Sequence, residues 1–377
     1  MRSVTIAPVA DFANGKIQAY VGPSELGAPD DLESVIVDFA AGAKESLDVA
    51  VQELDSEPLA QALIDARFRG VSVRVFLEQD YLLSPKLPRY ETSWEEQRDP
   101  PDHKTNRDIF AALLRCNVDA KADYNPAIFH QKFAVRDYRG RAKRSSALLT
   151  GSANWTNTDC HSNLNHVLVF HDSRVCAAYE REFEEIRSGS FGRRQHGQVP
   201  RAYNLGGIPV KVLFAPDHTP ELEIVKQMLK SKSEVDFAIF TFSGSSGIDD
   251  AMVMLRAAGR ELRGVLDPGQ GRQSWAASPW LHDVGVKVFL PRRGGGFRKL
   301  HHKLMVIDDA IVVAGSFNYT SDANEFNDEN IFVLGSPYPD LPKKEGGPVD
   351  PAACAELTGF FRTEIERIIA ASDPYTP

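Results

Sequence analysis

The sequence predicts an α/β fold built twice over, and three observations predict it. Apolar strand-like runs alternate with amphipathic helical segments along the chain. The order of those segments in the first half recurs in the second. One short polar pattern also sits at the same place in each copy. It reads His130-x-Lys132, Asp137 and Gly151-Ser152-Ala153-Asn154 in the first, and His301-x-Lys303, Asp308 and Gly315-Ser316-Phe317-Asn318 in the second. The two modules are drawn as residues 1–199 and 200–377.

Taken in order, apolar spacing predicts a helix over 32–43, a strand over 46–51, a helix over 58–69 ended by Gly70, and an alternating strand over 71–77. The second copy gives a helix over 221–230, a strand over 235–240, a helix over 249–258 ended by Gly259, and a strand over 262–266. Motif strands are expected over 128–135 and 300–307, further strands over 147–150 and 311–314, and closing helices over 174–187 and 355–370. Residues 195–209, with Gly197, Pro200, Gly206, Gly207 and Pro209, read as the linker. The charged, proline-containing stretch 83–107 has no counterpart in the second half and reads as surface decoration or an active-site lid.

The chain has 377 residues, 42% of them apolar and 25% charged, which is ordinary for a soluble two-domain protein. No apolar run approaches the ~20 residues that span a bilayer. The N-terminus lacks a basic region followed by an apolar core, so a cytoplasmic protein is expected. A net charge of -9 does not advertise a polyanion partner, although a local basic cleft would suffice. Cys116, Cys160, Cys176 and Cys354 show no metal-ligand spacing and read as reduced thiols. His161 and His166 show no ligand spacing either, and Gly294-Gly295-Gly296 lacks the context of a phosphate loop. No metal and no cofactor is expected.

Side chains alternate on a strand, so His130 and Lys132 share a face, as do His301 and Lys303. His302 and Gln131 face the other way and read as structural. Asp137 and Asp308 lie five residues past the lysine, an odd number, and read as holding the turn. Fourteen residues after the motif glycine, the first copy has Asn165 and the second has Glu329, so the duplicated site is asymmetric.

The doubled pattern, with Gly-Ser-Ala-Asn-Trp-Thr in one half and Gly-Ser-Phe-Asn-Tyr-Thr followed by Asn327-x-Glu329-Asn330 in the other, resembles the phospholipase D superfamily and its nuclease branch. The resemblance covers most of the chain. It implies two tandem α/β/α sandwich modules related by a pseudo-twofold axis, and a two-step displacement through a phosphohistidine. Chemistry supports such a step independently. One neutral imidazole attacks phosphorus while a protonated one donates to the leaving oxygen. Lys132 and Lys303 supply fixed charge for the non-bridging oxygens, and Asn154 and Asn318 add amide donors. A carboxylate behind the attacking imidazole helps it to carry charge. In the family this residue reaches across the axis, which puts Glu329 on His130. His130 is therefore taken as nucleophile and His301 as general acid and then base, with the reverse assignment open.

Ser152 and Ser316 are candidate substrate contacts. So are the basic residues beside each motif: Arg141, Lys143 and Arg144 in the first copy, and Arg298 and Lys299, preceded by Arg292 and Arg293, in the second. These flanks favour a nuclease acting on DNA or RNA. The alternatives are a phospholipase D or phosphatidyl transferase on phospholipid head groups, and a nucleic-acid-binding module of a larger defence or repair system with gated catalysis. Protein partners are not indicated.

Overall fold

The computed structural model describes residues 10–83, 101–194, 197, 199–292, 294 and 296–377. The first half supplies β1 (Ala10–Phe12), β2 (Ile17–Gly22), β3 (Ser46–Val51), β4 (Ser72–Leu77), β5 (Asp119–Ala122), β6 (Lys132–Arg136), β7 (Ala147–Gly151) and β8 (Asn163–Phe170). The second supplies β9 (Ala202–Leu205), β10 (Ile208–Ala215), β11 (Glu234–Ile239), β12 (Glu261–Leu266), β13 (Lys287–Pro291), β14 (Lys299–Leu300), β15 (Lys303–Ile307), β16 (Ile311–Gly315), β17 (Glu329–Gly335) and β18 (Ser372–Pro374). The first sheet runs β1-β2-β8-β7-β6-β3-β4-β5. The second runs β9-β10-β17-β16-β15-β11-β12-β13, with β18 added at its edge. In each, the parallel run follows β-helix-β crossovers and the remainder pairs antiparallel, as local hairpins allow.

Helices cover both faces of each sheet. Lys104–Arg115 packs outside the first sheet with the helices Leu32–Ala41 and Glu57–Phe68. Asp31 caps Leu32–Ala41 by accepting the Ser34 N–H (3.1 Å), and its Leu32, Ile36, Phe39 and Ala40 form one buried stripe. The helices Ser173–Arg187 and Pro351–Ala370 lie between the two sheets. They bury Val175, Tyr179, Phe183 and Ile186 from one half and Leu357, Phe361, Ile365 and Ile368 from the other in one shared core. Each such side chain contributes roughly 1.5–3 kcal/mol on removal from water.

The motif strands differ from the sequence expectation. Regular pairing begins at Lys132 and Lys303, not before the histidines. The residues ahead of each histidine cross to the other half instead. Lys299 and Leu300 pair with Asn163 and Leu164 of β8, and Phe129 bridges to Asp328. The N–H of His301 donates to the Leu164 carbonyl and that of His130 to the Asp328 carbonyl, both at 2.9 Å. The predicted linker is corrected as well. Its residues from Ala202 form the hairpin β9–β10 inside the second sheet, turning at Gly206 and Gly207. Of the polar stretch 83–107, residues 84–100 lie outside the described residues, and Lys104–Arg107 is the first turn of a helix. Arg293 and Gly295 also lie outside them. The four cysteines are unpaired. No helix among the described residues is long and apolar enough to cross a membrane.

Asp137 and Asp308 sit at φ 58° and 49°, just past the ends of β6 and β15. Asp137 Oδ1 accepts the N–H groups of Lys44 and Glu45 at 2.8 Å, and of Ser46 at 3.4 Å. Asp308 does the same for Lys232, Ser233 and Glu234 at 2.7–3.0 Å. Each carboxylate thus pins the loop entering the central strand. Asp137→Ala is expected to cost about 2 kcal/mol, because three backbone donors, that of Ser46 buried, lose a charged acceptor. Chemical denaturation of the two proteins checks this.

Candidate active site

The crossed lead-ins bring both motifs to one cavity of about 820 Å³ between the carboxyl ends of β3 and β11. His130, His301, Asn154, Asn318, Arg298 and Lys299 all line it. Lys132 and Lys303 lie beneath, 1% and 2% exposed, and each ammonium donates to the carbonyl of its own motif histidine at 2.8 Å. Lys132 also donates to Gln52 Oε1 at 3.2 Å, whereas the Phe240 ring stands 5.1 Å from the Lys303 nitrogen.

Behind each histidine the halves diverge. His130 Nδ1 lies 2.7 Å from Glu329 Oε2, across the pseudo-twofold axis. His301 Nδ1 lies 3.0 Å from Asn165 Oδ1 and 3.4 Å from Asp159 Oδ2. Ser316 donates to Glu329 at 2.5 Å, and Ser152 donates to Asn165 at 2.7 Å. Both serines are fully buried. The expectation that they touch substrate is therefore corrected: they fix the residue that orients the ring. The motif glycines permit this packing, since a Cβ on Gly151 would lie 2.2 Å from the His166 carbonyl oxygen and one on Gly315 would lie 2.3 Å from that of Asn330.

The other faces of the motifs also meet across the axis. His302 Nδ1 lies 3.1 Å from His166 Nδ1, and its Nε2 lies 3.3 Å from Glu364. At the equivalent positions Asn330 donates to Gln131 Oε1 at 2.7 Å, and Gln131 donates to Glu182 at 3.4 Å. These buried pairs hold the two halves in register.

Burial dominates the electrostatics. It holds His130 and His301 well below the usual imidazole range, and the buried lysines add to the effect. It also pushes Glu329 up to about 8, against the pull of Lys132, the Ser316 hydrogen bond and Lys303. In the tautomer with the proton on Nδ1, a neutral His130 would donate to Glu329 and turn its Nε2 lone pair to the cavity. Burial lowers Lys132 to about 8 and Lys303 well below its usual value. An anion seated between them would favour both charged forms. The Oδ1 atoms of Asn154 and Asn318 are buried without a partner, an open amide on each side of the cavity.

Lys132 is protonated below its value and loses its charge as pH rises through about 8. Dimethyl phosphate, which carries one charge throughout that range, is expected to inhibit with a Ki that rises as pH climbs through about 8. Lys132→Arg keeps its charge and is expected to flatten the rise. Competitive inhibition measured across the neutral-to-alkaline range checks this.

Arg141, Lys143 and Arg144 are not brought to the site. Their hairpin leaves the far end of β6, roughly 15 Å along the strand from Lys132. There the Arg141 N–H donates to Glu45 at 2.5 Å and the Lys143 ammonium sits 4.0 Å from the Tyr138 ring centre. The expectation that they bind substrate is corrected, because a basic run in sequence does not say at which strand end it emerges. Conversely, Gln52, Glu53, Tyr81, Asp159 and Phe240 belong to the cavity without any motif to announce them.

Comparison with known proteins fits this geometry. The family model described as "Cardiolipin synthase, PLD-like domain" matches residues 36–187 and 224–342, one stretch in each half. The chain belongs to the phospholipase D superfamily. Within the superfamily, it is 31% identical over 145 residues to a mitochondrial cardiolipin hydrolase of Xenopus laevis, covering 38% of this chain and 56% of that one. It is 28% identical over 144 residues to the mitochondrial cardiolipin hydrolase of Homo sapiens, covering 38% and 46%. The chain thus spans about half the length of the curated relatives it matches. The phosphatidylserine synthase of Haemophilus influenzae shares its fold, with a TM-score of 0.60 at 13% identity over 97% of this chain and 88% of that one.

Proposed function

We propose that the enzyme hydrolyses phosphodiesters without a metal, through a phosphohistidine on His130, and that its substrate is a single strand of nucleic acid. His130 Nε2 attacks phosphorus and forms the N–P bond. The P–O bond to the leaving alcohol breaks, and its electron pair takes the proton of a protonated His301. His301, now neutral, removes a proton from water. The water oxygen then attacks phosphorus, and the N–P pair returns to Nε2. Lys132, Lys303, Asn154 and Asn318 hold the non-bridging oxygens through both steps. A substrate anion between the rings favours the imidazolium form of His301, and Asp159 at 3.4 Å assists.

The observation carrying the nucleotide reading is the character of the cavity. It is open, and beside Ile128, Phe240 and Trp275 its lining is polar, with Arg298 and Lys299 in its wall and the carboxylates of Glu53, Asp55, Asp159 and Asp322 around them. A phosphate strand can lie across such a surface, whereas acyl chains need an apolar channel. Labelled single-stranded DNA, duplex DNA, RNA and phosphatidylcholine vesicles, each with excess EDTA, test it. Cleavage of a single strand undiminished by EDTA is expected. Lipid hydrolysis without nucleic-acid cleavage contradicts the substrate, and full inhibition by EDTA contradicts the chemistry.

A further inference from the structure

The duplication lets the two flanks of the cavity be compared position by position. Val51 pairs with Lys132 and Ile239 with Lys303, so Gln52 and Glu53 correspond to Phe240 and Thr241. The bridges Leu54–Trp155 and Phe242–Tyr319 extend the match, which sets Asp55 against Ser243. Leu77 beside Val51 and Leu266 beside Ile239 set Tyr81 against Gln270, four residues on in each case. A phosphate between matched His-Lys-Asn sets would therefore have two ester substituents against unlike walls. One wall offers the Phe240 ring, two hydroxyls and an amide, and the other offers an amide, carboxylates and a phenol ring.

The second wall is rich in unused acceptors. Among the described residues the Glu53 carboxylate accepts no hydrogen bond and has no ion-pair partner. Burial and the neighbouring Asp55 and Asp159 raise it to about 7, so a donor brought by a ligand would be well received. Asn163, 2% exposed in the same wall, donates to Asp159 and leaves its own Oδ1 without a partner. Tyr81 adds a half-buried ring. Arg298 and Lys299 stand at the same side, Arg298 3.3 Å from Thr158 Oγ1 and Lys299 paired with Asn163 in β8. Those cations suit the next phosphate of a strand.

We infer that Glu53, Asn163 and Tyr81 form a base-selective subsite, which takes a nucleobase bearing an exocyclic amino group, stacked on Tyr81 with the amino N–H donated to Glu53. This rests on the nucleotide reading above. Cytosine and uracil give the cleanest comparison, since a donating amino group in one is an accepting oxygen in the other.

The test measures cleavage of oligo-deoxycytidine and oligo-deoxyuridine of equal length, with EDTA, by the wild type, Glu53→Gln and Glu53→Ala. Phosphatidylethanolamine vesicles form a further arm. The wild type is expected to cleave the cytidine strand at least ~10-fold faster. Glu53→Ala is expected to bring that ratio towards one, and the isosteric Glu53→Gln to reduce it. Equal wild-type rates, or a ratio unchanged in both variants, overturn the subsite and leave the nuclease standing. Hydrolysis of the vesicles with both strands uncut overturns the subsite and the nuclease together.

Discussion

His130→Ala is expected to lower kcat by at least ~10⁴-fold with little change in KM, because it removes the atom that bonds to phosphorus while leaving the lysines that bind the substrate. The ring is 6% exposed, so its loss leaves a small cavity beneath the site rather than a hole in the core. His130→Asn and His130→Gln, which keep a polar side chain there, are expected to be as inactive. Kinetics on a p-nitrophenyl phosphodiester, with circular dichroism to show retained structure, check all three. A residual rate within ~10-fold of wild type would remove His130 from the nucleophile role.

The second large effect separates the two histidines. His301 supplies a proton in the first step and removes one in the second. A p-nitrophenolate leaves without protonation, so the first step of His301→Ala on that ester is expected to remain fast. The second step lacks its base, so the phospho-enzyme accumulates. One equivalent of p-nitrophenolate per active site is expected as a burst, followed by turnover slowed roughly 10²–10⁴-fold. With an ordinary alcohol as leaving group the burst disappears. Glu329→Gln is expected to show neither pattern but a lower rate in the first step, since it weakens the ion pair that stabilises the charged ring. Rapid-quench measurement on both esters distinguishes the three.

Much of this site is legible because its signals are local. Two residues on a strand share a face, so His-x-Lys predicts a histidine over a lysine, and an odd spacing turns Asp137 and Asp308 away from it. The duplicated order of helices and strands gives the sheet class for the same reason. Three features escape that logic. The lead-ins before His130 and His301 read as continuous strand, yet they pair with the opposite half, because Leu164 and Asp328 offer carbonyls that only the assembled fold brings near. Asp159 lies in the short helix Asn157–His161, whose position over His301 depends on tertiary packing. The hairpin carrying Arg141, Lys143 and Arg144 sits close to the motif in sequence, but strand direction carries it to the other end of the sheet. Charge runs lack an address of this kind, whereas periodic patterns have one.

Glu329 shows how asymmetry enters a duplicated site. The fold places Asn165 and Glu329 alike, each beneath the histidine of the other half and each held by its own motif serine. One amide and one carboxylate at matched positions give two otherwise equal rings different tasks. That division of labour is the central claim, and mass spectrometry of the acid-free, rapidly quenched His301→Ala enzyme tests it most directly. The account predicts a substrate-derived phosphoryl adduct on the peptide containing His130. The same experiment on His130→Ala should leave no adduct on any histidine, and an adduct on His301 there would contradict it.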